Sequence, residues 1–118
     1  MNIKSLTALV LASAVLFSNP LFADTETDKK IEQLLSTFAD KPEEHKALAA
    51  LYREQAADSR EKAERHRKVK ERYASIGGKP GTQYVGMRAH CDKLIKSFEE
   101  SAKSFDAMAD DHDKMGSK

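Results

Sequence analysis

PEEHKALAALYREQAADSREKAERHRKVKERYASIGG, residues 42–78, decides the fold. After Pro42 it has no further proline, and no glycine before Gly77; Ala, Glu, Lys, Arg and Gln dominate, residues that lose little freedom in a helix. Asp40 supplies an acidic cap ahead of it, Pro42 fits a first turn where a missing N–H costs nothing, and Glu43 favours the positive end of the helix dipole. Gly77-Gly78 ends the run. The reading is one helix over residues 41–75. At ~1.5 Å per residue it is about 50 Å long, too long for a compact globule of this chain.

Working outward, Gly77, Gly78, Pro80, Gly81 and Gly86 form the next break, and a further helix follows over residues 84–115. On it Met87, Cys91, Leu94, Phe98, Ser101, Phe105, Met108, His112 and Met115 recur in steps of four and three, the pattern of a heptad seam. On the long helix His45, Tyr52, Ser59, His66 and Tyr73 recur every seven residues, with Leu48, Ala49, Ala56, Ala63 and Val69 between them. Folding the chain back at Gly77–Gly81 pairs positions whose numbers sum to 157: His45 with His112, Tyr52 with Phe105, Ser59 with Phe98, Ala63 with Leu94, Ala49 with Met108, His66 with Cys91 and Tyr73 with Tyr84. A shorter helix over residues 27–39 precedes the pair, with Ile31, Leu34, Leu35 and Phe38 on one face. No alternating β-branched run occurs. The fold class is all-α: an elongated antiparallel hairpin with a short N-terminal third helix, which either completes a three-helix bundle or drives dimerisation.

Residues 1–23 read differently. Lys4, an apolar run from Leu6 to Phe17, and Pro20-Leu21-Phe22-Ala23 have the order of a secretory signal peptide cut before Asp24. The run is too short for a good membrane span. The expectation is an exported, periplasmic protein without a stable membrane anchor, with one domain over residues 24–118.

The chain has 118 residues and a net charge of +1. Without residues 1–23, 95 residues remain, carrying 19 basic and 19 acidic groups, which removes the basic excess that nucleic-acid binding needs. Of the 32 apolar residues left, 12 are alanines, too little bulk for a large enclosed active site. Arg53, Arg60, Arg65, Arg67 and Arg72 make the long helix basic toward the turn, and Asp106, Asp110, Asp111 and Asp113 make the last helix acidic at its end. The expectation is a charge dipole in which these two groups stay apart.

The same register gathers the imidazoles and sulfurs into two clusters. His45, Met108, His112 and Met115 form the first, with Glu44, Asp111 and Asp113 nearby. His66, His90, Cys91 and Met87 form the second. Thioether, thiolate and imidazole together suit Cu(I), and imidazole with thiolate also suits zinc. Against this, histidine and methionine are ordinary fillers of a partly wet helical seam, and neither CxxC nor HxxxH spacing occurs. A single cysteine makes no internal disulfide; Cys91 is an inert buried residue, a ligand, or a bridge between two chains.

Other chemistries find no motif. Gly77-Gly78-Lys79-Pro80-Gly81-Thr82 lacks the spacing of a phosphate loop, so no nucleotide is expected. An alanine-lined seam offers no room for haem. No nucleophile or acid–base pair stands in a pocket-forming context, so the chain reads as non-enzymatic. Two functions remain: a small exported protein that binds a soft metal, copper ahead of zinc, for buffering, sensing or resistance; or a structural or chaperone-like helical interaction module of the cell envelope without metal. Its partners are then a metal ion and a homodimer mate held through the first helix or Cys91.

Overall fold

The computed structural model describes residues 25–76 and 84–118. The signal-peptide reading and the turn at Gly77–Gly81 lie outside them. Three helices make up the described chain: α1 over Glu26–Ser36, α2 over Pro42–Ile76 and α3 over Val85–Gly116, with no strand among the described residues. The two long helices run antiparallel, with α1 laid along the first half of α2 in the reverse direction.

Each start has a local cause. α1 begins one residue earlier than expected and ends three residues earlier; its start is fixed by a complete capping box, in which Thr25 N–H donates to Asp28 Oδ2 (2.9 Å) and Asp28 N–H donates to Thr25 Oγ1 (3.1 Å). At α2 the expected Asp40 cap is replaced. The Glu44 carboxylate reaches back and accepts from the N–H groups of Ala39 (2.8 Å) and Lys41 (3.1 Å), satisfying donors a helix start leaves orphaned. These two bonds hold the Glu44 carboxyl below its usual range. Asp40 is thereby free for another partner, and its backbone takes a left-handed φ of 57° that aspartate tolerates.

α2 keeps its expected seam over its first two thirds, with His45, Ala49, Tyr52, Ala56, Ser59 and Ala63 all buried, but Val69, expected in the seam, is 41% exposed. On α3 half of the expected seam holds, with Cys91 buried and Phe98, Phe105 and His112 half-buried, but the half that runs through Met87, Leu94, Ser101, Met108 and Met115 is displaced by one residue. Cys91, Ala102, Ala109 and Gly116 are the buried positions, while Met87, Leu94, Met108 and Met115 are 41–51% exposed. Ala49 and Ala109 thus share the core, where Met108 was expected. The cause is volume: two helices whose facing positions are Ala, Ser and Gly approach closely, and a methionine there would hold them apart. A Cβ on Gly116 would sit 3.0 Å from the Pro42 carbonyl oxygen and 3.1 Å from Lys46 Cγ.

The large aromatic positions carry the register. Tyr52 stacks on Phe105 (6.3 Å between ring centres) and Tyr73 on Tyr84 (5.5 Å), as the sum of 157 requires. The main core lies at the open end, where Ile31 of α1 joins Leu48, Ala49, Tyr52 and Ala109, flanked by Leu34, Phe38, Leu51 and Phe105. Buried Gln55 ties α1 down by donating to Thr25 Oγ1 (3.0 Å) and Asp28 Oδ1 (2.6 Å). The basic and acidic groups also meet, contrary to the expected dipole. Arg53 pairs with Asp110 and Asp113, and Arg60 with Asp106. No helix of the described residues is long and apolar enough to cross a membrane.

The displaced stripe has a direct test in thermal unfolding. Ala109→Met should destabilise by about 1–3 kcal/mol through overpacking. Met108→Ala, one residue away and 41% exposed, should cost less than about 1 kcal/mol. The reverse order of effects would restore methionine to the seam.

Candidate metal centre

His45 and His112 meet across the open end of the hairpin. Helical spacing brings His45 to the first turn of α2 and His112 to the last full turn of α3, and the close seam does the rest. Their Nδ1 atoms lie 2.9 Å apart. His45 Nε2–H donates to Asp40 Oδ1 at 2.7 Å, since an ionised carboxylate only accepts. Neutral His45 then has its lone pair on Nδ1, and His112 Nδ1–H donates into it. One proton lies between the two rings.

The surroundings fix both rings. His45 is 5% exposed, with the Phe38 ring edge-on at 5.1 Å. His112 lies parallel to Tyr52 at 5.6 Å. Burial pushes the His112 pKa down, and the neighbouring His45 pushes it the same way, with Asp111 acting in the opposite direction. Beside the pair is an open cleft of about 420 Å³ bordered by Asp40, Pro42, His45, Met115 and Lys118.

Of the four residues expected in the first cluster, three therefore gather here: His45, His112 and, at the cleft, Met115. Met108, seven residues before Met115 on the same stripe of α3, stands exposed and does not border the cleft. The supporting carboxylates are also reassigned. Glu44 caps α2, Asp113 pairs with Arg53, and Asp111 pairs with Lys114 (3.2 Å). Asp40 takes the supporting place. Sequence reasoning spent Asp40 on the helix cap; the competing signal was Glu44, three residues beyond Lys41, at the spacing of a capping box.

The second cluster does not assemble in the same way. His66 stacks on Phe98 at 5.6 Å, with its buried Nδ1 lacking a hydrogen-bond partner. Cys91 is buried in the seam, whereas His90 and Met87 are exposed. Neighbours on a helix point about 100° apart, so an inward Cys91 leaves His90 facing outward. Among the described residues no three or more His, Cys, Asp or Glu side chains form a metal-holding group. Asp40 does not make the first cluster an exception, because its carboxylate holds the far nitrogen of His45.

The lowered His112 pKa sets a pH dependence. Between the ordinary histidine value near 6.5 and the lower folded value, the unfolded chain binds more protons than the folded one. Stability is therefore full above pH 6.5 and falls as the pH drops through that window. The unfolding midpoint should decline between pH 7 and 5.5, and His112→Phe, which keeps a ring over Tyr52, should flatten the decline. A wild-type midpoint that is constant over this range contradicts the assignment.

Compared with protein-family models, with curated proteins and with solved structures, the chain finds no match.

Proposed function

We propose that this chain is an exported small helical protein that binds a soft transition metal, Cu(I) ahead of Zn(II), and buffers, senses or detoxifies it. The observation that carries this reading is the Asp40–His45–His112 arrangement: a carboxylate holds one ring N–H, which aims the other nitrogen's lone pair at a second imidazole. Metal-bound histidines are commonly held in this way. Two nitrogens at ~2.0–2.1 Å from one tetrahedral ion lie about 3.3 Å apart. The observed 2.9 Å needs to widen by only a few tenths of an ångström as the shared proton leaves. Met115, 41% exposed, borders the same cleft as His45 and supplies a thioether beside the pair.

The donor set ranks the metals. With no third imidazole, thiolate or convergent carboxylate among the described residues, the third donor is a thioether, which suits Cu(I) and serves zinc poorly. In this reading α1 is the third helix of a small bundle around the site. Phe38, in the link that follows α1, closes one side of His45.

Anaerobic titration of the protein with Cu(I) against a chromogenic chelator should show one equivalent bound more tightly than Zn(II). His112→Phe and Met115→Leu should weaken it strongly, Asp40→Asn by about 10–100-fold, and Met108→Leu hardly at all. Binding that ignores His112 and Met115 would refute the site. The interaction-module reading would then remain.

Export has its own measurement. The intact mass of the secreted form should begin at Asp24; a mass retaining Met1 would remove the periplasmic setting.

A further inference from the structure

The two flanks of the α2–α3 hairpin differ. One is laced by ion pairs: Arg53 with Asp110 and Asp113, Arg60 with Asp106, Arg67 with Glu99, and Lys70 with Asp92 (2.5 Å). Arg53, Arg60 and Arg67 each follow a seam residue directly, as do Asp92, Glu99, Asp106 and Asp113 on α3. Residues that directly precede the other seam positions lie on the opposite flank: Leu48, Gln55, Lys62 and Val69, with Ile76 in line, on α2; Met87, Leu94, Ser101, Met108 and Met115 on α3.

α1 sits on this second flank and covers only its open half. It is seated over Leu48, and its first turn is anchored at Gln55. Beyond Gln55 the flank runs on toward the turn. There Val69 and Leu94 are 41% exposed and Ile76 and Met87 51% exposed. Single exposed apolar residues are normal, but a contiguous set continuing an occupied seat is a docking surface.

We propose that the half of this flank left uncovered among the described residues docks an amphipathic helix of another protein, one that carries carboxylates beside its apolar stripe. Two observations choose this occupant. The first is continuity: the covered half of the same flank already holds an amphipathic helix, α1, with Ile31 buried and Leu34 half-buried against it. The second is charge. From Asp58 to Arg72, α2 carries seven basic and four acidic side chains, and Lys62, Arg65 and Arg72 rim the uncovered half. Lys62 and Arg65 each have a neighbouring acid, Asp58 at 2.7 Å and Glu61 at 3.6 Å, and the rim remains basic. A second copy of this chain, paired antiparallel through the same patch, would bring two such basic rims together. The surface is separate from the His45–His112 site, so neither reading depends on the other.

The test uses the full chain and two synthetic helical peptides that share one leucine stripe, flanked by glutamate in one and lysine in the other. Fluorescence anisotropy should show the glutamate peptide binding about ten-fold or more tightly than the lysine peptide. Val69→Ser with Leu94→Ser should remove that binding, and Leu35→Ser, exposed on α1, should not. Equal binding of the two peptides, or binding unchanged by Val69→Ser with Leu94→Ser, overturns the proposal. So does an absence of peptide binding, with the patch instead needed for adsorption to phosphatidylglycerol vesicles or for self-association in sedimentation. If the serine variant loses helicity, Arg65→Glu with Arg72→Glu takes its place. That variant should invert the preference between peptides, and an unchanged preference overturns the proposal equally.

Discussion

The close approach of α2 and α3 is the constraint on which the other features rest. It requires small residues where the helices face one another: Ala49, Ala56, Ser59 and Ala63 on one side, Ala102, Ala109 and Gly116 on the other. Alanines bury little area each, so the seam is held by its length and by the rings set between the small positions. Tyr52, Phe105, His112 and His45 form a nearly continuous stack at the open end. α1 and the link after it then add Ile31, Leu34 and Phe38 to this core. Among the described residues Leu48 is the largest side chain that is fully buried, which shows how little bulk the packing uses.

The histidine pair is a consequence of that approach. Two imidazoles on helices held apart by larger residues would each be hydrated; here they share one proton at 2.9 Å. The short link between α1 and α2 completes the arrangement by a division of labour between two acids. Glu44 satisfies the backbone donors at the start of α2, which leaves the Asp40 carboxylate to hold His45 Nε2–H. A buried histidine with one nitrogen held and the other aimed at a second ring has a defined tautomer. That definition is the feature a metal site needs and a surface histidine lacks.

Much of this could be read from residue order. The seven-residue recurrence of His45, Tyr52, Ser59, His66 and Tyr73, matched against Phe105 and His112, was enough to bring His45 to His112 and Tyr52 to Phe105. The misreading of α3 is equally instructive. Met87, Leu94, Met108 and Met115 look like the seam because they are the larger apolar residues, yet the neighbouring stripe of Ala102, Ala109 and Gly116 is buried. The same displacement leaves Met108 exposed, while His90 faces outward because Cys91 keeps its expected place in the seam. The capping box of Thr25 and Asp28 is also present in the letters, and it starts α1 at Glu26 instead of Thr27.

Helix, period and the pairing of Tyr52 with Phe105 and Tyr73 with Tyr84 were settled by residue order, because propensity and recurrence are local properties; Phe98, expected opposite Ser59, instead stacks on His66. Which of two adjacent stripes on α3 faces α2 was settled only by tertiary structure. The stripes lie about 100° apart around one helix, and both recur every seven residues. The choice between them depends on the volume the partner helix leaves, and α2 presents alanines at Ala49, Ala56 and Ala63. The partner of His45 was a tertiary matter as well. Asp40 and Glu44 are both acids within five residues of it, and only the left-handed turn at Asp40 directs one carboxylate to the ring and the other to the backbone.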